Sequence, residues 1–377
     1  MRLPQYDPTH SNTAKQPNSR RRPYDHFGLV LMVNHVCNLR CFYCYTGEKF
    51  SRPMPAETGY QAISRATGSV ARGGTLDLGF FGGEPLVEAV TISRLIDDAR
   101  RLAEAGGLAL GLSLTTNGTL ARGAAWDVMM LPDLDLAVSH DGLPEVHDRH
   151  RRAIDGHGTS AHVLATLRRL LDAQKPFKVV MVVRPDTLDA LPAGIQFLHE
   201  LGVTAIDPSL DLWAQWTTAD VDRLTTAIGR AAGVWRSALP ALSVTWFDEK
   251  ATKLANLPTN ETTRCGFGAG EIAIAPSGNL YPCERLIGDD SPGSPMRLPG
   301  HALDGAHFLD VPAIAGKPVA PAAEACGQCA MIGHCNTFCR CSNFVRTGDP
   351  ATPDGLLCRW NQACLIETAN VLSSITN

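Results

Sequence analysis

The chain has 377 residues, 44% of them hydrophobic, and a net charge of −4. That length suggests about two domains with enough apolar residues for a sizeable core, and the acidic balance argues against a nucleic-acid binder, which usually carries a basic domain or stripe. No segment approaches the apolar length of a membrane span, and the twelve cysteines fall in metal-ligand spacings within a long chain, which points to a reducing cytoplasm. Residues 1–26 are polar and rich in Pro, Arg and Asn, and read as a mobile arm. The arginines at 20–22 ahead of apolar residues 27–33 have the order of an export leader. That apolar run is short, Asp25 and His26 interrupt its approach, and no A-x-A site follows, so export is not expected. Strand patterns then fall at 28–35, 76–81, 108–114, 134–139, 178–183 and 205–210. Helical patterns fall at 56–71, 90–105, 124–130, 160–174, 188–201 and 219–238. Six βα units in sequence imply an α/β fold with a parallel sheet and crossover helices.

The first strand leads into Cys37-Asn38-Leu39-Arg40-Cys41-Phe42-Tyr43-Cys44. Three thiolates this close can ligate three irons of a four-iron, four-sulfur cube and leave the fourth iron open. The alternative for this run alone is a zinc knuckle with His35 as the fourth ligand. Three further segments end strands. They are Phe81-Gly82-Gly83-Glu84-Pro85, Leu114-Thr115-Thr116-Asn117-Gly118-Thr119, and Ser139-His140-Asp141-Gly142 with His147, Asp148 and Arg151 beyond it. With Leu210, the motifs sit at or just past strand C-termini, where barrel enzymes keep their chemistry.

In this order the four segments resemble the radical S-adenosylmethionine (SAM) superfamily. The resemblance implies a partial (β/α)6 barrel over residues 27–240, with a [4Fe-4S] cluster on Cys37, Cys41 and Cys44. Tyr43 would offer its backbone to the adenine of SAM. Gly82, Gly83, Glu84 and Pro85 would hold the methionine amino group, Thr115 and Asn117 form the family's TNG segment, and Leu210 would pack on the adenine. Ser139 and Arg151 correspond to cofactor contacts, Arg151 as a fork on the SAM carboxylate; a surface charge is its other reading. His147 and Asp148 read as loop-ordering groups.

After a connecting segment at 241–264, Cys265 is followed by Gly278 and Cys283, then Cys326, Cys329, Cys335, Cys339 and Cys358. Residues 271–275, 276–279 and 280–282 read as strand, turn and strand, a hairpin that brings Cys265 and Cys283 together. This pattern resembles the seven-cysteine SPASM domain, here 265–365, with a C-terminal tail at 366–377. The resemblance implies two auxiliary [4Fe-4S] clusters. The distal one is ligated by Cys326, Cys329, Cys335 and Cys358, the proximal one by Cys265, Cys283 and Cys339. Its fourth position is either open to substrate or filled by Cys341 or Cys364, which otherwise read as small buried hydrophobes. The Pro- and Gly-rich stretch 286–324 either wraps the barrel mouth or connects.

What the resemblance implies chemically is reductive cleavage of SAM to a 5′-deoxyadenosyl radical that takes hydrogen from a peptide or protein. The leading expectation is a ribosomal-peptide maturase that installs a crosslink or an oxidation. A sulfatase-maturating, formylglycine-generating enzyme, a small-molecule radical dehydrogenase, and an iron-sulfur electron-transfer protein are the alternatives. Glu284, directly after Cys283, is a candidate general base where sulfatase-maturating relatives carry an aspartate, its other reading being a solvated hairpin charge. Asp211 is a second candidate. The expected partners are the substrate and a low-potential donor of flavodoxin or ferredoxin type. Only 26 residues precede the barrel, too few for a peptide-recognition domain, so a leader peptide is expected on the barrel, the SPASM domain or a separate leader-binding protein.

Overall fold

The computed structural model describes residues 22–255, 267–311, 324–335 and 339–376. Among these the first strands are β1 (Tyr24–Met32), β2 (Val70–Phe81), β3 (Ala109–Thr116), β4 (Leu134–Ser139) and β5 (Lys178–Val183). They are followed by β6 (Ala205–Leu210), β7 (Ser243–Val244), β8 (Glu271–Ile274), β9 (Asn279–Tyr281) and β10 (Leu298–His301). The helices begin with α1 (Ala56–Thr67), α2 (Ala89–Gly106), α3 (Ala124–Met129), α4 (Pro144–His150), α5 (Ser160–Asp172) and α6 (Leu191–Glu200). They continue with α7 (Thr218–Ala238), α8 (Thr245–Leu254), α9 (Glu324–Gly327), α10 (Arg340–Thr347) and α11 (Gly355–Thr376). The described residues form two compact units, one of 22–38, 44–136 and 267–311, the other of 39–43, 137–255, 324–335 and 339–376.

The first unit orders its strands β10-β9-β8-β1-β2-β3. β1 runs parallel to both β2 and β8, and β8, β9 and β10 follow one another antiparallel. Phe27, Leu29 and Leu31 point alternately into the core and are fully buried, each stabilising the fold by about 1.5–3 kcal/mol through burial. α1 and α2 cover the sheet with apolar stripes, Ala62, Ile63 and Ala66 on one, Ile92, Leu95, Ile96, Ala99 and Ala103 on the other. α2 stops at Gly107, whose φ of 65° makes the left-handed C-cap.

Three boundaries differ from the local pattern. β1 starts at Tyr24, inside the expected arm, because Tyr24 pairs with Val70 and His26 with Thr75. The same pairing starts β2 at Val70 and ends α1 at Thr67 rather than residue 71. The remainder of the expected arm, 1–21, lies outside the described residues.

The second unit orders its strands β4-β5-β6-β7, all parallel. α7 begins with a capping box, Thr217 and Asp220 bonding reciprocally to each other's backbone N–H. α8 forms within the expected connecting segment because Trp246, Phe247 and Lys250 bury one face. α11 packs against α7 and α8 and runs unbroken through residue 365, so the expected tail is helix.

The expected division at residue 265 is not where compactness divides the chain. Gly28, Leu29, Val30 and Leu31 pair with Glu271, Ile272, Ala273 and Ile274, so the hairpin β8-β9 extends the first unit's sheet instead of starting a separate domain.

Candidate active site

In the first unit the C-terminal ends of β1 and β2 stand level, Met32 opposite Phe81. The loops that follow touch through the backbone. Gly83 N–H donates to Asn34 O at 2.9 Å and Glu84 N–H to Val36 O at 3.0 Å. A Cβ on Gly83 would stand 2.2 Å from Val36 O and 2.5 Å from His35 O, so glycine is required there by close backbone approach. Glu84 is buried and ties this loop to the end of β3. Its Oε1 accepts from Thr116 Oγ1 (2.7 Å) and Leu86 N–H (3.0 Å), and its Oε2 accepts from Asn117 N–H (2.7 Å). Burial pushes its carboxyl up to about 7 against those bonds. Pro85 opens the short 3-10 turn that follows, and Thr115 is half-buried beside Thr116.

The cysteine loop is held from several sides. Asn117 Nδ2 donates to Asn38 Oδ1 (2.9 Å) and lies 3.8 Å from Cys37 Sγ. Lys49 Nζ stands 3.1 Å from Cys44 Sγ, and Thr46 Oγ1 3.3 Å from it. Burial raises the Cys44 thiol, but Lys49 and Thr46 outweigh it and hold it below the usual thiol range. These donors stabilise thiolate charge, and none of Cys37, Cys41 and Cys44 is in a disulfide, so the residues present fit a thiolate-held cluster. His35, the alternative fourth ligand, stacks instead on Phe50, ring centres 4.4 Å apart. Among the described residues no three His, Cys, Asp or Glu side chains converge as one metal ion requires. A four-iron cube takes its thiolates at separate corners and does not demand that convergence.

In the second unit Asp141, two residues past the end of β4, organises the surroundings. It accepts from Arg151 Nε (3.0 Å) and Nη2 (3.1 Å), from Tyr43 Oη (2.5 Å) and from Val182 N–H (3.0 Å). Burial alone would raise its carboxyl; Arg151 more than offsets this and holds it below the usual range. Arg151 is buried, with its guanidinium 5.2 Å from the Tyr43 ring centre. It is neither a surface charge nor a guanidinium without a counter-ion. Ser139 is buried at the end of β4. His147 accepts from Asp141 N–H and pairs with Thr159 Oγ1, and burial lowers it to about 3, so the imidazole is neutral. Asp148 accepts from Ser160 N–H and Oγ at the start of α5.

Leu210 is buried at the end of β6, and Asp211 beside it pairs with Arg184 and accepts from Trp213 and Ala214 N–H. Burial raises its carboxyl above the usual range against Arg184. Thr116, Asp141, Lys49 and Arg184 carry no expected role from the sequence alone. Asp141 lay within a recognised motif, but its partner could be identified only once β4 and the segment after α4 were placed.

The auxiliary cysteines lie in both units. In the first, Cys283 ends the hairpin and its Sγ donates to Glu284 Oε2 at 3.3 Å. Tyr45, stacked on Phe81, lies within electrostatic range of Glu284 and Cys283. Cys265 lies outside the described residues. In the second unit, burial and then Cys326, Cys335, Asp354 and Cys329 raise the Cys358 thiol, so these groups lie within electrostatic range of Cys358. Cys339 Sγ stands 3.3 Å from the buried Cys341 Sγ. Cys364 is fully buried in α11, and burial raises its thiol.

The sequence of residues 31–198 matches the radical SAM superfamily. An uncharacterized protein of Methanocaldococcus jannaschii is 28% identical over 184 residues, 49% of this chain and 62% of that protein. The match thus spans less than two thirds of that relative's length. The radical SAM cyclopropyl synthase TigE of Paramaledivibacter caminithermalis is 22% identical over 335 residues, 82% of this chain and 67% of that protein. Among solved structures, anSMEcpe, an anaerobic sulfatase-maturating enzyme with bound AdoMet and Kp18Cys peptide, matches with a TM-score of 0.75 at 18% identity. That match covers 92% of this chain and 98% of that chain. This chain therefore contains a radical SAM domain, carried by residues 31–198, on the fold of the sulfatase-maturating enzymes.

Proposed function

We propose that the protein modifies a peptide or protein, as a maturase that installs a crosslink or an oxidation. The observation that carries this reading is the fold likeness, which runs over nearly the whole of a solved enzyme that holds a peptide, combined with a second thiol set in which Cys326, Cys329 and Cys335 lie within electrostatic range of Cys358. A bare SAM-cleaving domain has no need of that second thiol set.

In this reading Cys37, Cys41 and Cys44 hold the [4Fe-4S] cluster at which SAM binds, and the four C-terminal thiols hold a distal auxiliary cluster. The proximal cluster takes Cys265, Cys283 and Cys339, and Cys341, one of its two extra candidates, has its Sγ beside that of Cys339. Bound there, SAM and its cluster supply the radical chemistry that takes hydrogen from an unactivated C–H bond. Gly83 keeps the backbone close to the cysteine loop, and Glu84 fixes that loop against the end of β3. Tyr43 and Arg151, fastened to Asp141, form a rigid wall for the adenosyl and carboxylate ends of SAM. Glu284 and Asp211 are the carboxylates that accept the substrate proton, Glu284 beside a ligand of the proximal cluster and Asp211 with its carboxyl already raised. The electron enters from a low-potential donor of flavodoxin or ferredoxin type.

Oxidation of a sulfatase Cys or Ser is the second reading, favoured by the fold likeness to anSMEcpe. The test is transfer of deuterium into 5′-deoxyadenosine from deuterated Cys- or Ser-containing peptides, with deuterated small polyols in parallel. Label from peptides supports the proposal. Label from the polyols alone overturns it in favour of a small-molecule dehydrogenase.

A further inference from the structure

We infer that Lys250 is the internal counter-ion of the distal auxiliary cluster and raises its reduction potential. The inference rests on the reading of Cys326, Cys329, Cys335 and Cys358 as that cluster's ligands. Lys250 lies on α8 and is 1% exposed. Its Nζ donates to Asn361 Oδ1 at 2.6 Å and stands 5.6 Å from the centre of the Trp360 ring. Both partners belong to α11, one turn or less beyond Cys358. α8 also packs on the turn Ile332–His334, which immediately precedes Cys335. Lys250 is therefore set between the two segments that bring in Cys335 and Cys358.

A buried ammonium carries three donors and a full charge, and Lys250 gives a hydrogen bond to a neutral amide. Among the described residues no carboxylate lies within ion-pair distance of it. Buried charges are almost always paired, because desolvation is otherwise uncompensated. The groups around Lys250 leave few candidates. On its own helix Glu249 attracts it but is exposed, where solvent screens the attraction, and Lys253 repels it. On α11 the Cys364 thiol stays neutral, held above the usual range by burial. The remaining neighbour is Cys335, and a cluster with four thiolate ligands is net negative. Reduction adds one further negative charge to it. A fixed cation in a low-dielectric interior stabilises the reduced cluster more than the oxidised one, and its potential rises. In turnover the electron would leave the substrate radical and enter a cluster biased to receive it, while the proton goes to a base elsewhere and Lys250 keeps its own protons.

The test uses the reconstituted holoenzyme and its Lys250→Met and Lys250→Arg variants, with iron content and an EPR-monitored redox titration of each cluster. The expected result is full iron in all three proteins. One auxiliary midpoint in Lys250→Met falls by a tenfold or greater change in the reduction equilibrium, 59 mV for one electron, and Lys250→Arg stays near the parent. Lys250→Gln, which keeps a donor for Asn361 Oδ1, gives the same reading if Lys250→Met does not accumulate as loaded protein. Unmoved midpoints, or a shift of all clusters together, overturn the inference. A parent protein with only about four irons and no auxiliary signals would instead overturn the cluster reading on which it stands.

Discussion

The pair of Asp141 and Arg151 makes the sharpest physical prediction. Both side chains are buried, the guanidinium gives Asp141 two hydrogen bonds, and Tyr43 Oη and Val182 N–H add two more. At an effective dielectric near 20, unit charges about 4 Å apart attract by about 4 kcal/mol. Removing one member of a buried pair costs about 3–5 kcal/mol, because the other is left as an uncompensated charge. Asp141→Asn and Arg151→Met should therefore each lower the free energy of unfolding by about that amount. The double variant should cost less than the sum of the two by about 3 kcal/mol, since it leaves no orphan charge. Anaerobic urea unfolding of the four proteins, without added SAM, supplies the cycle. Single variants within about 0.5 kcal/mol of the parent, or a double variant equal to the sum, would refute the reasoning. A role confined to a cofactor carboxylate would leave these SAM-free measurements unchanged.

Glu84 predicts a pH dependence. Its folded-state carboxyl sits at about 7 against an ordinary 4.5. Between those values the folded chain keeps a proton that the unfolded chain has released, so stability falls as pH rises from about 4.5 to about 7, by about 3 kcal/mol in total, and levels above. Glu84→Gln should flatten that slope, read from urea midpoints across pH; an unchanged slope would assign it to another group. Gly83→Ala sets a Cβ against two backbone oxygens that cannot move without moving the cysteine loop. It should lower reconstituted iron by about four per chain and abolish SAM cleavage, and parent-like iron with parent-like cleavage would contradict the close-approach argument.

Much of the fold could be read locally, because each βα unit announces itself through its own apolar period. Leu134–Ser139, Lys178–Val183 and Ala205–Leu210 fall where alternation or β-branched runs place them. What escaped depends on pairings distant in sequence. The added half of β2 exists because Val70 meets Tyr24, and the hairpin joins the first unit because β8 finds the open edge of β1. Within the site the residue types were legible but their partners were not. Gly83 was read as a cofactor contact, whereas the geometry also gives it a steric duty toward Val36. The resemblance implies Arg151 as a fork on the SAM carboxylate, and within the chain its hydrogen bonds go to Asp141. Thr116 rather than Thr115 bonds Glu84, a distinction that only strand register can make. α8 carried no expectation, so neither did Lys250.

The central claim is tested most directly by anaerobic reconstitution with iron and sulfide, then addition of SAM and dithionite, measuring iron content and 5′-deoxyadenosine on the same sample. The account predicts about twelve irons per chain with 5′-deoxyadenosine formed, and loss of that product when Cys37, Cys41 and Cys44 are changed to Ala. A fully loaded protein that forms none in the presence of the peptide panel, or a triple variant that still cleaves SAM, would contradict it.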